Sequence, residues 1–205
     1  MLTVGNNAAG VESLLGDGLF SCPGCGGRLG GWGHAVRRRV FMAGRFPVAV
    51  RPRRARCAAC GATHVLLPVW LLSRRCDGAP VIGDMLARAA RGEGFRSIAA
   101  ACGVPADTVR DRLRRFRSVA GRVREFFTRL AGVLACDPVP LDPVGSVLGD
   151  AVVAVAAAAA AATGRWPALR VSPWELASAV TAGSLLSPSV LFPGFNGGAL
   201  SSARG

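Results

Sequence analysis

Two copies of the motif Cys-x-x-Cys-Gly, Cys22–Gly26 and Cys57–Gly61, constrain this chain of 205 residues more than any other feature. A gap of 31 residues separates Cys25 from Cys57. Two residues between paired cysteines let one tight turn aim both sulfur atoms at a single ion, and two such pairs supply four thiolates for a tetrahedral site. The glycine after each pair has no Cβ, so backbone amides can turn toward the thiolates. The pattern predicts a structural metal site.

The segment between the motifs has the pattern of a strand pair. The stretches 35–41 and 46–57 are typical of strands with arginine on the solvent side, and Gly44 lies in the turn between them. A third apolar run, 64–72, predicts a further strand or a strand that passes into a helix. Two cysteine pairs that bracket a hairpin are typical of a zinc ribbon, so we expect one structural zinc ion. The predicted ligands are Cys22, Cys25, Cys57 and Cys60.

Other roles for the cysteines fit this pattern less well. A thioredoxin-like redox site needs a single Cys-x-x-Cys at a strand-to-helix junction. A catalytic zinc keeps one position open for water, and four thiolates close that position. His34 and His64 are available as substitute ligands, but we expect each to contact a neighbouring strand or solvent. The remaining cysteines have no partner at metal-binding spacing; they are Cys76, Cys102 and Cys136.

Positive charge is concentrated in one part of the chain. All 25 basic residues are arginine, and the stretch 22–129 holds 22 of them against six acidic residues, a net charge of +16. The rest of the chain has three arginines and six acidic residues, a net charge of −3. Clustered arginine favours polyanions and gives a salt-dependent affinity for phosphate backbones. A basic surface that is merely solvated usually has more acidic residues between its basic ones. We therefore expect a nucleic-acid partner.

The chain is expected to be cytoplasmic, associated with the nucleoid, and to have no membrane partner. Residues 1–20 carry neither the basic start nor the long apolar stretch of a secretory signal, and they are interpreted as a flexible lead-in. The apolar run 151–162 has twelve residues. That length is well short of the roughly 20 residues that a spanning helix needs.

After the predicted ribbon the apolar period becomes helical. Helices are predicted over about 81–91, 97–102 and 106–117, and a further amphipathic pattern is either a fourth helix or an extension of the third. Gly103 occupies a tight turn between the second and third helices, which is the pattern of a helix-turn-helix whose third helix reads DNA. The inward positions of that pattern are Ile98, Ala99, Val104, Val109 and Leu113.

The outward face of the third helix is expected to meet DNA. Arg110 and Arg114 lie one turn apart and are placed to reach guanine edges, while the two acids of this face either accept from cytosine or orient those arginines. The predicted base-reading residues are Asp107, Arg110, Asp111 and Arg114. The predicted contacts to the phosphate backbone are Arg96, Thr108, Arg112, Arg115 and Arg117, with the stem of Arg112 covering the core edge.

The predicted fold class is α+β, with a small β-rich zinc ribbon followed by an all-α helix-turn-helix and a helical C-terminal segment. In the C-terminal part, Ser172 and Glu175 stand three residues apart and predict a capping box at a helix start. The expected boundaries are 21–75 for the ribbon, 79–134 for the helix-turn-helix region, 136–145 for a proline-rich linker, 146–186 for an alanine-rich helical segment and 187–205 for a disordered tail.

Three stretches together resemble a known plan. They are CPGCGGRLGGWGHAVRRRV from Cys22, RRARCAACGATHVLLPVWLL from Arg53 and GEGFRSIAAACGVPADTVRDRLRRFR from Gly92. The plan is similar to the N-terminal zinc-binding and helix-turn-helix part of insertion-sequence transposases of the ISL type. More similar still is an uncharacterised actinobacterial family with Cys-x-x-Cys, THxLLP and helix-turn-helix elements, whose THxLLP motif matches Thr63–Pro68. The resemblance covers 20–130 and implies a DNA-binding companion of mobile elements, with a transposase or integrase as a candidate partner.

The expected function is non-enzymatic and sequence-specific binding of double-stranded DNA, either with a mobile element or as a transcriptional regulator. Proteins with a helix-turn-helix often form homodimers on two-fold sites. Strand transfer by a transposase needs three carboxylates around two metal ions, and few acids follow Arg129. They are Asp137, Asp142, Asp150 and Glu175. Two alternatives remain open: a partial or decayed transposase, and a zinc-ribbon protein that binds RNA or takes part in protein assembly.

Overall fold

A computed structural model describes residues 1–135, 137, 140–190 and 192, and its architecture is α+β, as predicted. The strands are β1 (Leu2–Val4), β2 (Leu29–His34), β3 (Arg38–Phe41), β4 (Pro47–Val50), β5 (Arg53–Cys57) and β6 (Thr63–Pro68). The helices are α1 (Ala8–Gly16), α2 (Ala79–Ala90), α3 (Phe95–Cys102), α4 (Ala106–Arg117), α5 (Ala120–Leu134), α6 (Val147–Arg165) and α7 (Pro173–Val180).

A four-stranded sheet in the order β1-β6-β5-β2 forms the N-terminal part of the fold. β5 is antiparallel to both of its neighbours, and β1 is parallel to β6. β3 and β4 pair with each other in a separate hairpin, joined by a turn in which Gly44 has a left-handed φ of 67°. The prediction of one strand over 46–57 is wrong, since β4 ends at Val50 and β5 begins at Arg53. Pro52 stands in the break, where it cannot donate a ladder hydrogen bond.

The prediction of a flexible lead-in over 1–20 is also wrong, because this segment folds into β1 and α1. The side chain of Asn7 caps α1 by accepting hydrogen bonds from two amides of the first turn. Val4, Val11 and Leu15 are buried in the same apolar cluster as the inner face of the sheet. The N-terminal segment therefore supplies part of the core on which the sheet rests.

Helices α2 to α7 enclose one hydrophobic core. α5 and α6 pack against each other, and Ala151, Ala154 and Ala158 of α6 are fully buried, since small side chains let helices approach closely. The separation of a helix-turn-helix region, 79–134, from an alanine-rich segment, 146–186, is therefore corrected. Both contribute to a single helical body. Its largest fully buried side chains are Phe116, Phe127, Leu72, Ile82, Met85, Leu86, Ile98 and Leu185.

In the described part of the chain one helix, Val147–Arg165, is long and apolar enough to cross a membrane by length and composition. It contains the apolar run 151–162, and 44% of its apolar window is buried inside the fold. The alanine face of this helix packs against α5 and α2, while more than half of the window is not buried. One such helix is weak evidence for a membrane span, and the structure fits a soluble protein.

Three further predictions concern the C-terminal segments. The capping box of α7 is confirmed, because the Glu175 amide donates to Ser172 Oγ at 3.2 Å and the Ser172 amide donates to the Glu175 carboxylate at 2.9 Å. The predicted linker has no regular structure over 140–145. Of the predicted disordered tail, Val190 is buried and Phe192 stacks on Phe126, so the prediction is wrong there. The rest of the tail, 191 and 193–205, lies outside the described residues.

Candidate metal centre and basic helix face

The four predicted metal ligands lie together at one end of the four-stranded sheet. All four Sγ atoms are within 4.8 Å of one another, with Cys22 and Cys60 separated by 3.8 Å and Cys25 and Cys57 by 3.5 Å. A tetrahedral ion with metal–sulfur bonds of about 2.3 Å places its sulfur ligands about 3.8 Å apart. The predicted clustering is confirmed, and the arrangement can hold a metal ion in the manner of a zinc ribbon.

The strand register brings the two cysteine turns together. Leu29 of β2 pairs with Cys57 of β5, so the turn that precedes β2 meets the turn that follows β5. Each turn is closed by a glycine amide, with Gly26 donating to the Cys22 carbonyl at 2.8 Å and Gly61 donating to the Cys57 carbonyl at 3.1 Å. Both glycines have a left-handed φ, 72° and 71°. A side chain at either position would strain the turn.

Gly27 allows the two turns to approach each other. A Cβ at this position would lie 2.8 Å from the Ala59 Cβ and 3.0 Å from the Cys57 Sγ. This role could not be predicted from the sequence, because nothing local marks Gly27. Only the antiparallel register places Ala59 opposite it.

Backbone amides favour the thiolate form at the first cysteine of each pair. Hydrogen bonds within the turn, the strongest from the amide of Cys60, lower the pKa of Cys57 to about 6. In the other turn the amide of Gly24 is the main cause that lowers the pKa of Cys22. At Cys25 the amide of the glycine two residues on lowers the pKa, but hydrogen bonds with neighbouring thiols outweigh it and raise the pKa to about 12. A bound cation would favour the thiolate at every ligand.

Neither histidine replaces a cysteine in the four-sulfur cluster. His64 lies beside it on β6, with Nε2 3.4 Å from the Cys22 Sγ. Burial, and then the charge of the N-terminal amine, lower the pKa of His64, which favours the neutral ring. His34 is exposed at the end of β2. His64 therefore contacts Cys22, one of the four predicted ligands, and a contact of this kind can orient a ligand side chain.

The other cysteines do not join the cluster within the described residues. Cys76 is exposed, and Cys102 is half-buried with its thiol 3.5 Å from the Asp84 carboxylate. Burial, followed by the hydrogen bond to Asp84, raises the pKa of Cys102 and keeps it a neutral thiol. Cys136 lies outside the described residues.

Helices α3 and α4 lie where the sequence predicts two consecutive helices. α3 ends at Cys102, the left-handed φ of 64° at the next residue, Gly103, reverses the chain, and α4 begins at Ala106. α5 is a separate helix rather than an extension of α4. All the predicted inward side chains are buried: Ile98, Ala99, Val104, Val109 and Leu113.

The four predicted base-reading side chains lie on the outer side of α4 and pair with one another. Arg110 contacts Asp107 at 2.9 Å, and Arg114 contacts Asp111 at 2.8 Å. Arg115 also contacts Asp111 at 2.8 Å, and the arginines, Arg115 foremost, lower the pKa of this carboxyl. In this structure the two acids orient arginines, which was one of their two predicted roles.

Arg112 is not a surface residue, and its prediction as a phosphate contact is wrong. Only 8% of it is exposed, and its guanidinium lies 3.5 Å from Asp77 and 3.4 Å from Asp111. Asp77 is 1% exposed and also pairs with Arg45 at 3.0 Å. Arg112 is thus held inside the fold by a buried carboxylate. The role of Asp77 was not predicted, because it lies 35 residues from Arg112 and no periodic pattern marks it.

The other predicted phosphate contacts are accessible to different degrees. Arg96 and Arg117 are exposed, while Thr108 and Arg115 are half-buried. The guanidinium of Arg96 lies over the ring of Phe95, 5.5 Å from its centroid. Arg96 and Arg117 are therefore accessible to a partner.

Comparisons with known proteins give the chain no relative. No protein-family model, no curated protein and no solved structure matches it. The resemblance to the THxLLP-type family and to ISL-type transposases therefore depends on the quoted motifs alone, and membership of either group remains a hypothesis.

Proposed function

We propose that this protein binds double-stranded DNA sequence-specifically, with α3 and α4 acting as a helix-turn-helix. The observation that carries the proposal is the division of α4 into two faces. Val109 and Leu113 are buried in the core, while Arg110 and Arg114 are exposed one turn apart. A recognition helix needs this division, because one face fixes it to the body and the other enters the major groove. The net charge of +16 over 22–129 supports the same partner.

The metal of the four-cysteine cluster is proposed to be a single structural zinc ion. Four thiolates are a ligand set typical of structural zinc and leave no position for a reacting water. The ion would fix β2 against β5, on which Arg56 is exposed to solvent. We propose that this scaffold supports the DNA-binding helices and adds contacts to the phosphate backbone.

A non-enzymatic role is proposed, in a transcriptional regulator or a companion of a mobile element. Two of the acids that follow Arg129 already have structural partners. Asp150 contacts Arg124 at 3.3 Å, and Glu175 completes the capping box of α7. These contacts argue against a set of carboxylates assembled around two metal ions.

Selection from random duplex DNA is expected to enrich one sequence motif, and the double variant Arg110→Ala, Arg114→Ala is expected to lose it. A bidentate contact from arginine to guanine discriminates against the wrong base by roughly 1–3 kcal/mol. Each substitution should therefore lower the affinity for the enriched site by about 5- to 150-fold. Fluorescence anisotropy with the enriched duplex measures the change.

The matched control is the double variant Arg165→Ala, Arg170→Ala, which removes the same charge from exposed positions outside α3 and α4. We expect it to keep the enriched motif and to lose little affinity. A zinc chelator should weaken binding of the parent protein if the ribbon supports the helices. Absence of any enriched motif, with weak binding that does not respond to salt, would contradict the proposal.

A second candidate function, RNA binding by the ribbon, is favoured by an exposed aromatic side chain. Trp32 of β2 is 48% exposed, and the Arg56 guanidinium lies 4.8 Å from its ring centroid. Unpaired bases stack on aromatic rings and on arginine planes. Competition between duplex DNA and structured RNA at matched salt separates the candidates. A preference for RNA that is lost in Trp32→Ala would replace the DNA proposal, and a preference for duplex DNA in both proteins would support it.

A further inference from the structure

A polar cavity of about 550 Å³ opens where three segments of the chain meet, apart from the metal cluster. One wall is the loop after β6, residues 72–75. The second is Arg115 near the end of α4, and the third is the segment 183–189 that follows α7. Cavities of roughly 300–1,000 Å³ are typical of small-molecule sites. The sequence analysis did not predict this site, because its walls come from three distant parts of the chain.

The lining of this cavity is cationic and rich in hydroxyl groups. None of the described lining residues is acidic. Asp111 pairs with Arg115 at 2.8 Å and so offsets one of the positive charges. The arginines of the lining are Arg74, Arg75 and Arg115, and the hydroxyl groups belong to Ser73, Ser184, Ser187 and Ser189.

Arg75 is the partly buried arginine of this lining that forms no ion pair with a described residue. No ion pair joins it to an acid among the described residues, and its Nε is buried without a hydrogen-bond partner there. Burial, and then the positive charges of Arg112 and Arg115, lower the pKa of Arg75. A buried polar group without a partner is costly. An anion in the cavity would place an opposite charge beside this guanidinium.

Hydrogen bonds hold the walls of the cavity in place. The Ser73 amide donates to the Gly183 carbonyl at 2.7 Å, and the buried Ser178 hydroxyl donates to the Leu71 carbonyl at 2.7 Å. Gly183 has a left-handed φ of 74°, and a Cβ there would lie 2.7 Å from Leu67 Cδ2. The two segments therefore approach as closely as a glycine allows. A cavity fixed in this way is ordered before a ligand arrives, which lowers the cost of binding.

We propose that this cavity binds a phosphate group, with Arg75 and Arg115 as the charged donors and the Ser73 hydroxyl as a further donor. The planar fork of a guanidinium matches two oxygen atoms of a phosphate. The volume also admits the organic part of a small phosphomonoester beside Leu72 and Leu186. The phosphate of a DNA backbone is the other source of the same chemistry, since Arg115 belongs to α4. The site does not depend on the DNA-binding proposal.

Calorimetric titration of the full chain with inorganic phosphate, at constant ionic strength, is expected to show one saturable site. Arg75→Gln should weaken this binding by about ten- to a hundredfold, the effect of losing a charge-assisted hydrogen bond. Arg170→Gln removes an exposed arginine outside the cavity and should leave the affinity unchanged. Arg74→Gln, at an exposed position of the lining, should weaken binding severalfold and serves as the test if Arg75→Gln alters the thermal unfolding curve.

Two further measurements distinguish a DNA phosphate from a small phosphomonoester as the source of the phosphate. If the phosphate belongs to DNA, Arg75→Gln reduces the slope of log affinity for duplex DNA against log salt concentration by about one. Inorganic phosphate then also competes with DNA for the protein. For a phosphomonoester, ribose 5-phosphate binds more tightly than inorganic phosphate, and the salt dependence of DNA binding is unchanged. Phosphate binding that does not saturate, or that is equal in the parent and in all three variants, overturns the proposal. That result is independent of whether the protein binds DNA.

Discussion

Substitution of Cys57 by serine is expected to abolish stoichiometric metal binding and to unfold the four-stranded sheet. Cys57 belongs to the four-cysteine cluster that can hold a metal ion, and it is also a buried member of the core that contains Leu29 and Leu66. Binding of structural zinc contributes about 10–16 kcal/mol in small zinc-dependent domains. That contribution is comparable to or larger than the whole stability of a typical domain, about 5–15 kcal/mol. Elemental analysis should find about one zinc ion per parent chain and almost none in the variant.

Cys76→Ser is the matched control, because Cys76 is exposed and lies outside the cluster. We expect this variant to keep its zinc and its fold. In Cys57→Ser the helical circular dichroism of α2 to α7 should persist, since the core of the helical body contains none of the four ligands. Amide resonances of the sheet should lose their dispersion at the same time. An ordered sheet in Cys57→Ser would contradict a structural metal site.

The metal ligands and the helix pair were predictable because both depend on short-range spacing. A Cys-x-x-Cys turn needs only its own residues and the following glycine, and the left-handed φ of Gly26 and Gly61 agrees with that requirement. Along α4, Val109 and Leu113 lie four residues apart, so they share one helical face whatever packs against it. Spacing of this kind predicts the local structure without knowledge of the tertiary fold.

The N-terminal strand was not predictable for the opposite reason. β1 has three residues, Leu2–Val4, which is too short to show a period. Its place in the sheet comes from a parallel pairing in which Leu2 lies opposite Leu66. The same applies to the phosphate cavity, whose walls at 72–75 and 183–189 meet only after folding. Contacts between distant segments decide both features.

Arg112 shows how a tertiary contact overrides a helical pattern. The helix positions predicted a surface guanidinium over a buried stem, but Asp77 draws the whole side chain inside. Asp77 also pairs with Arg45, which lies in the turn of the β3–β4 hairpin. One carboxylate thus joins the hairpin to α4, just before the start of α2. We expect the orientation of α4 on the body to depend on this contact.

Asp77→Ala is therefore expected to lower the free energy of unfolding by about 3–5 kcal/mol, because it leaves the Arg112 guanidinium buried with only Asp111 as a charged partner. Urea denaturation followed by tryptophan fluorescence measures the loss as a shift of the midpoint at constant slope. The control is Glu125→Ala, which breaks the exposed pair with Arg129. Exposed helix pairs of this kind contribute about 0.3–0.5 kcal/mol.

Replacing both charges tests whether the uncompensated arginine is the cause. The double variant Asp77→Ala, Arg112→Met removes the buried cation together with its partner, and an apolar side chain of similar length fills the space. We expect it to recover much of the lost stability, since a buried ion pair can often be exchanged for apolar residues at little cost. If Asp77→Ala is no less stable than Glu125→Ala, Asp77 does not hold α4 in place. If the single variant is destabilised and the double variant recovers, the buried charge pair is what fixes the proposed recognition helix to the body.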